Sequence, residues 1–255
     1  MLIKAKNLKS RRLVSLDGEI GKVKDFYFDD SYWTIRYVIV DTGTWLTEKQ
    51  VLISPYAIRD YLTDTGDIEV SLNKKQIENS PAEDTHKPVS RQFEDSYNTY
   101  YEFPTYWVGS YIWGSVPHIV HGINVSDKTK HDTAAYESHL RSTDEVTRYR
   151  IHATDGKIGH VEDFLIDSKT WTIRYLIVDT KNWWPGKKVL ISPEWIKKIS
   201  WLDGEVYISL TQDQIKKSGE YFEESVLERE YEESLFELYS KRPYWESEFG
   251  ARTIF

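Results

Sequence analysis

Trp33-Thr34-Ile35-Arg36-Tyr37-Val38-Ile39-Val40-Asp41-Thr42 returns 138 residues later as Trp171-Thr172-Ile173-Arg174-Tyr175-Leu176-Ile177-Val178-Asp179-Thr180. The run is β-branched and aromatic, the composition of a strand. Ile35, Tyr37 and Ile39 alternate with Arg36, Val38 and Val40, so both faces are largely apolar and both must be covered. One face is expected to look into a barrel. The other should pack on a terminal helix, a trailing segment or the sister copy.

The same offset continues outward. Asp17-Gly18-Glu19-Ile20-Gly21 pairs with Asp155-Gly156-Lys157-Ile158-Gly159, and Val51-Leu52-Ile53-Ser54-Pro55 pairs with Val189-Leu190-Ile191-Ser192-Pro193. Between 17–80 and 155–218, 31 of 64 positions are identical without a gap, which establishes an internal duplication. Further on, Arg91 faces Arg229, Glu94 faces Glu232, Ser96 faces Ser234, and Tyr106-Trp107 faces Tyr244-Trp245. The duplicated unit is therefore a domain plus a trailing segment. The expected division is residues 1–80 and 140–219 for the two domains, 81–139 for an aromatic extension and linker, and 220–255 for a tail.

Within the first copy, strands are expected at Arg12–Leu16, Glu19–Asp29, Trp33–Asp41, Val51–Ser54, Ile58–Leu62 and Ile68–Leu72. The parity of the second slips near Gly21-Lys22, which predicts a bulge. Asn73 offers an N-cap to a short helix over Lys74–Asn79 with Ile77 inward. Five or six short strands in so few residues hide their edges by closing, so the fold class is all-β, with two small barrels and partly helical aromatic extensions. In the tail, Phe222, Val226, Leu227, Tyr231, Leu235 and Leu238 stand at helical spacing and predict an amphipathic helix over Glu220–Ser240.

The series DG-x-IG-x-V-x-DF, W-x-IRY-x-IVDT and VLISP, running from Asp17 through Pro55 and again in the second copy, resembles the PRC-barrel domain. That domain is shared by the cytoplasmic part of the photosynthetic reaction centre H subunit and the C-terminal part of a ribosome maturation factor. The segment Pro88-Val89-Ser90-Arg91-Gln92 with its tyrosines resembles the extension of bacterial tandem PRC-barrel proteins. The resemblance implies a docking module. It also implies, through the H subunit, peripheral association with a membrane complex. Unlike that subunit the chain shows no membrane-spanning run, and it has no counterpart of the maturation factor's N-terminal domain.

Composition narrows the classes. The chain of 255 residues contains no cysteine, which excludes disulfides and thiolate-bound metal. Its net charge is −8, and the excess acid lies outside the two domains: residues 1–80 sum to 0 and 141–219 to +2, against −4 for 81–140 and −6 for 220–255. Direct nucleic-acid binding, which needs clustered Lys and Arg, is not expected. The longest apolar stretch, Tyr106 to Val116, is too short for a membrane helix, which needs roughly 17–25 residues. The N-terminus lacks the pattern of a signal peptide, so a cytoplasmic location is expected.

Arg36 and Arg174 lie among apolar neighbours and need carboxylates, for which Asp25/Asp163, Asp29/Asp167 and Asp41/Asp179 are available. They read either as internal ion pairs or as polar contacts shown to a partner. Trp45, Trp183 and Trp184 fall in the loop before the VLISP strand, at a barrel rim, where aromatics anchor partners or cap the barrel end. His118-x-x-His121 with His131 is the weak candidate for a metal site, set against a solvated loop; Pro117 and Gly122 deny the pair a helix. Asp17-Gly18 and Asp155-Gly156 lack the ligand spacing of a calcium loop and read as hairpin turns. No phosphate loop, nucleophile elbow or zincin motif is present, so a non-enzymatic protein without cofactor is expected. The sequence thus points to an interaction or scaffold module with a protein partner or a second copy of itself. Membrane-complex association, or ligand or metal binding at the barrel mouths or the His-rich linker, are the alternatives.

Overall fold

Short β-rich runs separated by turn residues build two seven-stranded sheets in the computed structural model. It describes residues 1–46, 50–61, 65–81, 89–107, 113, 139–180, 183–184, 187–222 and 227–246. The chain opens with β1 (Leu2–Lys4) and one helical turn, α1 (Ala5–Leu8). The first repeat continues as β2 (Arg12–Ser15), β3 (Gly18–Asp29), β4 (Thr34–Asp41), β5 (Val51–Ile53), β6 (Ile58–Tyr61) and β7 (Ile68–Val70), then helices α2 (Lys74–Glu78) and α3 (Arg91–Tyr101). The second repeats that order. It runs β8 (Leu140–Ser142), α4 (Thr143–Val146), β9 (Arg150–Ala153), β10 (Gly156–Asp167) and β11 (Ile173–Asp179). It finishes with β12 (Lys188–Ile191), β13 (Ile196–Ser200), β14 (Glu205–Ile208), α5 (Gln212–Lys217) and α6 (Arg229–Leu238).

The chain divides into two compact units. Unit 1 holds Met1, residues 6–144 and 168–172; unit 2 holds 2–5, 145–167 and 173–255. In unit 1 the strands lie in the order β5-β4-β3-β2-β7-β6, with β8 on β3; in unit 2 they lie in the order β12-β11-β10-β9-β14-β13, with β1 on β10. Every pairing is antiparallel except β2 with β7 and β9 with β14. The six expected strands of the first copy are all present within a residue or two of their expected ends. The long β3 serves two partners on one edge: Gly18–Lys22 pairs with β2, and Tyr27–Asp29 pairs with β8. Its other edge is taken by β4.

The expected bulge is real, and it has company. In β3, Ile20 and Lys24 are each the extra residue of a register slip, and Ile158 and Glu162 repeat this in β10. Gly21 sits beside the first slip because a Cβ there would collide with the carbonyl oxygen of Asp41; Gly159 stands in the same relation to Asp179. That close backbone approach is why the repeated motif needs glycine at this position. A third slip, unexpected from the sequence, makes Arg36 the extra residue of β4 and Arg174 that of β11.

The helix after β7 starts as expected. Asn73 accepts from the Gln76 amide at 2.8 Å while the Gln76 side chain accepts from the Asn73 amide at 2.9 Å, a reciprocal cap. Thr211 and Gln214 do the same for α5. The turn aspartates add a contact that the sequence did not reveal: Asp17 accepts from the Lys74 amide at 2.9 Å and Asp155 from the Gln212 amide at 2.8 Å.

The tail departs from expectation. α6 is limited to Arg229–Leu238, while Phe222 is 61% exposed and Leu238 is also exposed. Leu235 is buried as expected, and Phe236, Tyr239 and Glu232 are buried with it. Hydroxyls of Tyr175 and Tyr244 draw Glu232 inward, so the buried stripe is rotated from the one that apolar spacing alone selects. Val226 lies outside the described residues. In unit 1 the covering face is α3. Phe93 and Tyr97 pack with Tyr37, Ile39, Leu52, Val89 and Leu140, which confirms that the trailing segment covers the outer face of β4.

Candidate functional site

Two features are repeated in both units: a buried Arg–Glu–Tyr network behind β4 and β11, and an aromatic rim in the loop before β5 and β12. The network begins at the bulges. Because Arg36 is the extra residue, its side chain is turned toward the trailing segment along with Tyr37, against strict alternation. Arg36 Nε donates to Asp29 Oδ2 at 2.7 Å, with the two side chains 1% and 3% exposed. The guanidinium lies 3.9 Å from the ring centroid of Tyr106 and 4.7 Å from that of Trp113. Trp113 is itself fixed: its Nε1 donates to the Thr170 carbonyl at 2.8 Å, and the Tyr56 hydroxyl donates to its carbonyl at 3.2 Å.

Glu94 of α3 gathers the remaining groups. The Tyr106 hydroxyl donates to Glu94 Oε1 at 2.6 Å and the Tyr37 hydroxyl to the same oxygen at 3.3 Å. Arg91 Nη1 stands 3.1 Å from Oε2 and its guanidinium lies 4.2 Å from the Trp107 ring. Burial pushes the Glu94 carboxyl up to about 7, and Arg91, Tyr106, Tyr37 and Arg36 pull it back only in part. Burial, with Glu94 next in order, raises Tyr37 and Tyr106 well above the ordinary phenol range, so both stay protonated as donors.

Unit 2 repeats the wiring. The Tyr175 and Tyr244 hydroxyls each donate to Glu232 Oε1 at 2.9 Å, and Arg229 Nη1 is 3.1 Å from Oε2. Arg174 lies 4.0 Å over Tyr244, and its Nη2 is 3.5 Å from Asp167 Oδ2, with side chains 6% and 17% exposed. Arg229 is 4.0 Å over Trp245. Arg36 and Arg174 are therefore interior groups, the ion-pair reading of the two. The network binds each trailing segment to its own sheet. Chemically, two arginines, a glutamate and two neutral phenols so arranged supply no activated nucleophile.

At the rim, Trp45 is half-buried, 5.6 Å from Lys74 Nζ, and Trp183 is half-buried, 5.1 Å from Lys216 Nζ. Trp183 and Trp184 meet edge to face at 6.3 Å. The Thr180 hydroxyl, 2.8 Å from the carbonyls of both Trp184 and Lys187, holds the loop that carries them. Unit 1 also has an open cavity of about 340 Å³ lined by Lys24, Tyr27, Asp41, Leu46, Gln50 and Asp144 among others. In unit 2 the positions of Lys24 and Gln50 are taken by Glu162 and Lys188, which form an ion pair of 2.6 Å.

His118, His121 and His131 lie outside the described residues. His139 is described, half-exposed, with Nδ1 3.4 Å from Asp30 Oδ1. Among the described residues, no group of three or more His, Asp or Glu side chains is set to hold a metal ion. Among them, too, no helix is long and apolar enough to cross a membrane.

Two matches to the model of the PRC-barrel domain, over residues 2–77 and 150–215, take in more than half of the chain. The chain belongs to the PRC-barrel family and carries the domain twice. It is also similar to an uncharacterized protein of Deinococcus radiodurans, 42% identical over 66 residues. That match spans 26% of this chain and 23% of the relative, so about one domain is shared.

Proposed function

We propose that this protein is a non-enzymatic interaction module of the cytoplasm, whose two barrels present the rims at Trp45 and at Trp183-Trp184 to a protein partner. The observation that carries this reading is the duplicated rim. Both units keep a half-buried tryptophan at the same position, steadied by a lysine from the following helix. Held aromatics with partial exposure are the side chains that contribute most when an interface closes over them. The interior network supports the same reading, since it gives the rims rigid platforms. Trp183→Ala together with Trp184→Ala should lower recovery of a crosslinked partner at least tenfold while leaving the circular dichroism and melting profile intact. Equal recovery from the variant and the unaltered chain overturns the proposal.

A second reading is favoured by the unit 1 cavity, whose Lys24 and Gln50 positions are occupied in unit 2 by the Glu162–Lys188 ion pair. With Asp41 and Asp144 beside Tyr27 and Leu46, it suits a small polar ligand with a cationic group. A Gln50→Lys, Lys24→Glu variant builds the unit 2 ion pair into unit 1. Loss of ligand-induced thermal stabilisation in that variant, against a panel of small amines, is the expected result.

A further inference from the structure

Each sheet is completed by a strand that leads into the other repeat. β1 precedes the first repeat yet pairs with β10 as Leu2↔Asp167, Ile3↔Ile166 and Lys4↔Leu165. β8 precedes the second repeat yet pairs with β3 as Leu140↔Asp29, Arg141↔Phe28 and Ser142↔Tyr27. Adding 138 to every residue of the second set's acceptor and of the first set's donor converts one register into the other. The chain passes out of unit 2 after Ala5 and out of unit 1 after Asp144, 139 residues apart. The exchange is reciprocal and in register.

Both donors are short strands anchored on the acceptor edge. β8 brings side-chain chemistry: the hydroxyls of Ser142 and Thr143 donate to Asp25 at 2.5 and 2.6 Å, Arg141 Nε reaches Asp30 at 3.3 Å, and Leu140 joins the apolar cluster under α3. β1 is three residues long, with Ile3 buried, as is Ala5 directly after it, and with backbone ladder contacts along Leu165–Asp167. A strand docked along a backbone ladder is recognised equally well whichever molecule supplies it. The intramolecular arrangement differs from an intermolecular one only in effective concentration, a balance that protein concentration shifts.

We propose that the β10 edge at Leu165–Asp167 is a strand-docking site that takes the Leu2–Lys4 segment of a second copy of this chain as well as the chain's own. The product is a strand-exchanged dimer in which every contact of the monomer is preserved. Because the acceptor edge is filled in the monomer, exchange requires β1 to leave first, so dimers form on refolding and then persist.

The chain has no cysteine, so full-length single-cysteine variants report directly on the exchange. Lys4→Cys and Leu165→Cys chains are mixed, unfolded together in urea, refolded at high concentration and oxidised. A disulfide-linked heterodimer is expected at several times the yield given by Lys4→Cys with Asp203→Cys, a pair outside the ladder. A yield equal to that control overturns the proposal. Sedimentation of the unaltered chain supplies an arm independent of the substitutions. A dimer should appear after concentrated refolding and survive dilution until the chain is unfolded again; monomer alone after every refolding concentration also overturns it.

Discussion

Units 1 and 2 carry the same wiring at different depths. In unit 1 the Arg36–Asp29 pair is sealed, with a 2.7 Å hydrogen bond and two aromatic rings, Tyr106 and Trp113, against the guanidinium. In unit 2 the Arg174–Asp167 approach is 3.5 Å, Asp167 is 17% exposed, and Tyr244 is the ring stacked on Arg174 among the described residues. Arg91 is also better covered than Arg229, at 21% against 50%. The same residues, copied by duplication, have thus been placed in a drier and a wetter setting. The value of a charge pair depends on that setting more than on the residues themselves.

The comparison is tested most strongly by removing the arginines. Arg36→Met leaves Asp29 buried without its cation and should cost unit 1 about 3–5 kcal/mol. Arg174→Met should cost unit 2 about half as much, because water reaches Asp167. Hydrogen exchange resolved by peptide, which separates the units, reads both values in one experiment. Equal losses in the two variants would break the comparison.

A pH experiment sharpens it. Glu94, raised to about 7 by burial from an ordinary value of 4.5, binds a proton more tightly when folded than when unfolded. Its contribution to stability is therefore fully present below about 4.5 and is lost as pH rises through about 7. A shift of this size corresponds to about 3 kcal/mol across that window. Glu94→Gln keeps an acceptor for Tyr106 and abolishes the titration. The stability difference between the variant and the unaltered chain should swing by about that amount in favour of the variant between pH 4.5 and pH 8. A difference that stays flat over this range would show that Arg91 and the two phenols hold Glu94 ionised throughout.

Much of this was legible beforehand, for reasons that are local. The strands, the Asn73 cap and the bulge near Gly21 follow from side-chain alternation and backbone chemistry within a few residues. The matched pairs Arg91/Arg229, Glu94/Glu232 and Tyr106/Tyr244 were visible as conserved spacing between the repeats. Their meeting point was not, because it depends on the third bulge that turns Arg36 toward the trailing segment. No residue type marks that slip; it is set by pairing with β3. The strand exchange was hidden more thoroughly. Leu2-Ile3-Lys4 and Leu140-Arg141-Ser142 share one residue in three, so their equivalence lies in backbone register, which carries no side-chain signature. In the tail, apolar spacing chose Leu238 over Phe236 because a glutamate held by two tyrosines was counted as an outward residue.

The smallest effect is the control for the others. Where the two units are built alike, the same change should cost the same. α2 and α5 start on matched reciprocal caps: Asn73 with Gln76 at 2.8 and 2.9 Å, and Thr211 with Gln214 at 3.2 and 2.9 Å. Each is backed by a turn aspartate, Asp17 or Asp155, that accepts from the next amide. Asn73→Ala and Thr211→Ala should each cost about 1 kcal/mol, with Asn73 the larger if they differ, since asparagine ranks above threonine as a cap. Urea unfolding followed by exchange at the amides of Gln76 and Gln214 checks this. If the Thr211 variant lost several times more than the Asn73 variant, unit 2 would be intrinsically the weaker fold. The unequal arginine effects would then report on the whole unit, and the argument from depth of burial would fail. Matched cap losses, beside unmatched arginine losses, assign the difference to the sealed network alone.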